Sequence, residues 1–136
     1  MAEKEKFVRE KGMEKNVLFY GFCDDIRLLL LYSDLFVLPT YYDPFANSCM
    51  EAMVFGIPVV TTRMNGFSEV IIEGKTGFIM ETPNDFKAIE KAMNFFKKRK
   101  NLNDINMNCR NSVINFTHEE SAKHTLRVFE SICMGK

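Results

Sequence analysis

Hydrophobic and polar positions along the chain fall into two periods. Four short runs are almost continuously apolar: Val17–Tyr20, Leu35–Leu38, Pro58–Thr61 and Phe78–Met80. Their shortness and their β-branched or aromatic content predict strands. Leu35–Leu38 has no polar position, the pattern of a strand buried on both faces. Pro58 fits the first residue of a strand, where a missing N–H costs least. Between these runs the apolar positions recur at helical spacing. Ala2–Lys11 reads as a charged helix, with Gly12 as its stop and Met13 as the apolar residue behind it. Asp24 or Asp25 caps a second helix, which turns Ile26, Leu29 and Leu30 inward. A third runs from Ser48 to Phe55 and is closed by Gly56.

After the third strand run, Arg63–Ser68 is a loop with an Asn-Gly turn signal at Asn65-Gly66. One helical turn follows over Glu69–Ile72, and Glu73–Gly77 forms another turn. Asn84 or Asp85 starts a long helix with Phe86, Ile89, Met93 and Phe96 on one face. It finishes in Lys97-Lys98-Arg99-Lys100, where cations complement the helix dipole on a solvated face. Further helices are predicted over Ile105–Asn115 and Glu119–Cys133. The last carries Ala122, Leu126, Phe129 and Cys133 on one stripe. Strands thus alternate with helices four times. That alternation predicts one α/β domain over residues 1–136, with a Rossmann-like parallel sheet covered by helices on both faces. Ligands of such sheets bind beyond the carboxyl ends of the strands.

Composition narrows the function classes. The chain has 136 residues with 18 basic and 18 acidic side chains, so formal net charge is zero and gives no footprint for nucleic acid. Cys23, Cys49, Cys109 and Cys133 are widely spaced, and His118 and His124 are not at i,i+4 spacing. Neither set reads as a metal site. The thiols read as reduced and cytosolic. The charged N-terminus is no signal peptide, and no apolar run is long enough to span a bilayer. The expected location is the cytoplasm, including the inner face of the membrane. The nine methionines are scattered and read as core filler.

The candidate chemistry lies between the second and third strand runs, in the loop Pro39–Asn47 and the helix after it. Asp43 sits in the loop and Glu51 follows eight positions later. Two readings of these residues stand side by side. Ser48-x-x-Glu51 matches a capping box, which makes Glu51 a structural residue. Alternatively, the helix N-terminus receives an anion at its leading amides, and the two carboxylates accept hydrogen bonds from sugar hydroxyls.

The longer run decides which family the residues resemble. Tyr42-Asp43-Pro44-Phe45-Ala46-Asn47-Ser48-Cys49-Met50-Glu51-Ala52-Met53, followed by Gly56-Ile57-Pro58-Val59-Val60-Thr61, resembles the nucleotide-sugar site of retaining family 4 glycosyltransferases (glycosyl transferases group 1) of the GT-B fold. Asn16–Phe22, Asp34–Pro39 and Gly74–Phe78 are similar to the family's flanking segments, in the same order. The resemblance implies that Glu51 binds the donor's ribose hydroxyls. It implies that Asp43 contacts the donor sugar in the catalytic centre. The amides of Phe45, Ala46 and Asn47, next to Ser48, line the sugar and diphosphate, and Gly66 borders the same pocket. Asp43 stands where the family has Glu, one methylene longer. No cofactor is implied. The donor is a nucleotide diphosphate sugar such as a UDP- or GDP-sugar, and the acceptor a polysaccharide or lipopolysaccharide precursor, saccharide or lipid-linked.

In the family, two further strands and a basic Arg/Lys pair precede the segment that this chain matches, and an acceptor domain precedes those. The resemblance therefore implies an N-terminally truncated donor domain whose partner is a separate N-terminal half or a second copy of the chain. The rival expectation is a non-catalytic nucleotide-binding fragment. The family strand order would leave Val17–Tyr20 separated from Leu35–Leu38, unless the run moves in to pair with it or another chain fills the gap.

Overall fold

The computed structural model describes residues 2–98 and 102–134. The α/β class is as predicted. Ten elements follow in order: α1 (Ala2–Glu10), α2 (Arg27–Leu31), β1 (Phe36–Leu38), α3 (Asn47–Val54), β2 (Val59–Thr62), a 3₁₀ turn (Gly66–Val70), β3 (Gly77–Met80), α4 (Phe86–Lys97), α5 (Leu102–Val113) and α6 (His118–Met134). The sheet order is β1-β2-β3, and both pairings are parallel. Each strand therefore reaches its neighbour through a crossover, by α3 in the first case and by the 3₁₀ turn in the second.

β2 lies between two neighbours, and all four of its residues are buried. Val59 and Val60 can therefore both be core residues although they point to opposite faces. Cys49, Ala52 and Met53 of α3, Phe78 and Met80 of β3, Ala92 and Phe96 of α4, and Ile105, Cys109 and Val113 of α5 join them in the core. α3 packs on β1 and β2, α4 on β3, and α5 on α3. Phe78, Phe95 and Phe96 meet edge to face, with centroids 5.2–5.8 Å apart, and fix α4 over β3.

α1 ends as its sequence indicates. Gly12 has φ of +64°, its N–H bonds to the Arg9 carbonyl, and the Met13 N–H reaches back to the Val8 carbonyl. This is a Schellman closure, which needs a left-handed residue at that position. Asp85 caps α4 by accepting from the Ala88 N–H at 3.1 Å.

Several expectations need correction. Val17–Tyr20 is not a strand, and it does not move in to pair with Phe36–Leu38. It keeps the alternation of an extended chain, with Val17 and Phe19 half-buried and Leu18 and Tyr20 exposed, but a ladder needs a partner and the run finds none. β1 is half-buried throughout instead of buried on both faces, because it is an edge strand with β2 on one side only. The buried face of α4 is rotated from the predicted one: Ala92 and Phe96 are buried, whereas Phe86 and Met93 are exposed. In α2 only Leu30 is buried, and Ile26 is exposed. The stripe on α6 faces solvent, with Leu126 and Phe129 about 60% exposed. Of the basic run ending α4, Lys97 and Lys98 are exposed, while Arg99 and Lys100 lie outside the described residues. Among the described residues, no helix is long and apolar enough to cross a membrane.

Candidate functional site

The loops after β1 and after β2 are laced together at the carboxyl ends of the strands. The Thr61 hydroxyl donates to the Leu38 carbonyl at 2.8 Å, and the Thr62 hydroxyl donates to the Thr40 carbonyl at 2.7 Å. The Asp43 N–H donates to the Met64 carbonyl, and the Gly66 N–H to the Asp43 carbonyl. Asp43 and Asn65 thus form an isolated parallel bridge that extends the β1–β2 pairing into the loops. Here the approach is so close that a Cβ on Gly66 would stand 2.0 Å from the Pro44 carbonyl oxygen.

Asn65 is the centre of this lacing. It is fully buried. Its Oδ1 accepts from the Ala46 N–H at 3.2 Å and from the Phe67 N–H at 3.0 Å. Its Nδ2 donates to the Thr61 Oγ1 at 3.0 Å and approaches the Cys49 Sγ at 3.6 Å. Sequence reasoning read Asn65 only as half of an Asn-Gly turn. Nothing in its neighbourhood along the chain announces a bond to Ala46, nineteen positions away.

The predicted capping box does not form. It would need Ser48 at the N-cap and Glu51 three residues on. The N-cap of α3 is instead Ala46, with no side-chain cap hydrogen bond, so Ser48 is the second residue of the helix. Glu51 then stands too far in to cap and is exposed on the helix surface, while Asn65 holds the Ala46 N–H from another loop. The Phe45 N–H is engaged as well, by the Asp43 Oδ1 at 3.0 Å. Of the three amides expected to line a ligand, two therefore serve the loop. Asn47 and Ser48 stand in the first turn of α3, where amides have no acceptor within the helix.

Glu51 lines a cleft of about 370 Å³ together with Asp24, Asp25, Ile26, Arg27, Leu30 and Phe55. Asp25 and Arg27 form a two-pronged ion pair there, at 2.7 and 2.8 Å. The Arg27 hydrogen bonds pull the Asp25 carboxyl down to about 2. With Arg27 neutralised in this way, the cleft presents the spare carboxylates of Asp24 and Glu51, which suits hydroxyl donors better than phosphate. The role of Asp24, Asp25 and Arg27 as cleft walls was hidden in the sequence behind their reading as a helix start. Asp43 does not line this cleft. It is half-buried and tied into its own loop.

Beside Asp43, the Phe45 ring packs edge-on to Phe67 at 5.2 Å and stacks with Phe116 at 5.9 Å, which anchors the loop to the segment between α5 and α6. The Cys49 thiol beneath the loop is pushed up to about 11, chiefly by burial and further by the Asp43 charge, against the pull of its Asn65 contact. A larger apolar groove of about 1020 Å³ lies toward the amino ends of β1 and β2, around Leu35, Pro58, Phe86 and Met93. It contains none of the candidate residues. Among the described residues there is no cluster of three or more His, Cys, Asp or Glu that could hold a metal.

Known proteins resemble the chain in sequence and in fold. The family model "Glycosyl transferases group 1" matches residues 2–112. A lipopolysaccharide core biosynthesis mannosyltransferase of Rhizobium meliloti is 33% identical over 136 residues, which is 96% of this chain and 38% of the relative. An Escherichia coli α-1,3-galactosyltransferase that uses UDP-Gal and a GlcNAc-diphosphoundecaprenol is 30% identical over 82% of this chain and 29% of its own length. Among solved structures, Anabaena HepE in complex with UDP superposes with a TM-score of 0.82 at 25% identity, over 96% of this chain and 36% of that one. The chain thus spans less than two-fifths of the length of each of these proteins. With the match running from α1 to α5 and a GT-B glycosyltransferase fold around the laced loops, the chain belongs to the glycosyl transferases group 1 family.

Proposed function

We propose that this chain is the donor-binding part of a retaining glycosyltransferase. The enzyme would transfer a sugar from a nucleotide diphosphate sugar to a polysaccharide or lipopolysaccharide acceptor. The observation that carries the reading is Glu51, exposed on α3 and opening into the cleft beside α2. There its carboxylate accepts the ribose hydroxyls. The amides of Asn47 and Ser48, at the positive end of α3, meet the diphosphate. Asp43, set in the loop before that helix, faces the sugar, and the backbone at Gly66 borders it. The chemical work of such a site is to position the donor and to stabilise the charge that develops on the leaving diphosphate. That the similar HepE was solved in complex with UDP supports a nucleotide ligand. The mannosyl- and galactosyltransferase relatives support a glycan acceptor.

Titration of UDP, GDP and ADP into the chain by calorimetry tests this reading. One of the three is expected to bind saturably. Glu51→Ala removes hydrogen bonds to a charged group, each of about 1.5–3 kcal/mol, and should weaken that binding by about tenfold or more. The reading fails if none of the three binds, or if Glu51→Ala binds like the wild type.

A second reading is that the chain binds nucleotide without transferring sugar until a separate half or a second copy joins it. The solvent-facing apolar stripe of α6 and the open edge of β1 favour this arrangement.

A further inference from the structure

We infer that Asn65 is the positioning residue for the diphosphate part of the donor, an inference that rests on the donor-site reading above. Asn65 is fully buried beneath the two loops and would touch no ligand itself. Its carboxamide oxygen holds two amides from different segments, Ala46 before α3 and Phe67 in the 3₁₀ turn. Its NH₂ group is fixed in turn by Thr61 of β2 and by Cys49 of α3. The side chain therefore references the first turn of α3 to the sheet. It does so at the N-cap, the residue that sets where the amides of Asn47 and Ser48 point.

Two consequences follow from the chemistry. First, with the Ala46 N–H occupied by Asn65, an anion at this helix end is met by the next amides along. Secondly, Glu51 stands about one turn further on, in the cleft lined by α2 residues. Loss of Asn65 should loosen the phosphate-facing end of α3 and leave the nucleoside-facing residues in place. Thr76 is a suitable control. It is equally buried, and its hydroxyl accepts from the Ile72 N–H at 2.8 Å, but it sits before β3 at the other end of the sheet.

The test compares nucleoside diphosphates with nucleosides. UDP, GDP and ADP, and in parallel uridine, guanosine and adenosine, are titrated by NMR against the wild-type chain, Asn65→Ala and Thr76→Val. For the nucleotide that binds, Asn65→Ala should lose about tenfold or more in affinity while the matching nucleoside changes by less than about twofold. Thr76→Val should alter neither. Equal losses for nucleotide and nucleoside, or an unchanged nucleotide affinity, overturn the inference. Should Asn65→Ala not fold, wild-type spectra decide. The Asn65 side-chain NH₂ and Ala46 N–H signals should shift with the diphosphate and stay still with the nucleoside, and a response to both or to neither overturns the inference. A wild-type chain that binds none of the nucleotides sinks the donor reading and this inference together. Binding by the wild type with Asn65→Ala unaffected sinks this inference alone.

Discussion

At Gly66 a single hydrogen decides whether two loops can touch. A Cβ there would meet a backbone carbonyl oxygen at 2.0 Å, which no side-chain rotation relieves. Gly66→Ala should cost about 3 kcal/mol and lower Tm by about 10 °C. A thermal melt within about 2 °C of wild type would show that the loops part easily. The cysteines make a second prediction at this scale. Burial raises the Cys49 and Cys109 thiols from 9.0 to about 11 and about 12. Cys23 is half-buried and Cys133 exposed. At pH 8 an aromatic disulfide reagent should titrate Cys23 and Cys133 promptly. Cys49 and Cys109 should react only on unfolding, or as pH climbs toward those raised values and the thiolates form. Prompt reaction of all four at pH 8 would contradict the packing. Asp43 and Glu51 could be singled out as candidates because they lie in one continuous run of the sequence. Asn65 could not be, since its partners Ala46 and Cys49 come to it only through the parallel β1–β2 register.

Helices and strands were legible to the extent that their neighbours lie nearby in the chain. The Gly12 stop of α1 and the Asp85 cap of α4 are local chemistry and stand as the sequence indicates. Leu35–Leu38 and Val17–Tyr20 carry the same apolar signature, yet one joins a sheet and the other does not. That difference depends on which partner strand is within reach, and apolar content does not encode it. The same holds for α6, whose stripe is a property of its sequence and whose exposure is a property of its surroundings. Because Phe129 is 60% exposed, Phe129→Ser should leave Tm of the chain within about 2 °C. A fall of more than about 5 °C would mean that the stripe is already covered in solution, for example by a second copy.

For the whole molecule, the family match covers residues 2–112, and the chain superposes on 36% of HepE. The core beneath the laced loops is well packed. α3, β2, β3, α4 and α5 enclose one another, with Met53, Val59, Val60, Phe67 and Met80 all inaccessible to solvent. The open β1 edge also bears on how the chain behaves at high concentration. The Phe36 N–H is spent on the Pro58 carbonyl, so strand alternation turns the N–H and C=O of Val37 outward. Asp34 stands just before the strand and Pro39 just after it. An acidic gatekeeper on one side and a residue without an N–H on the other leave a template far shorter than the six or seven residues that fibrillar stacking requires. The edge can accept one short strand, but it cannot seed a growing one.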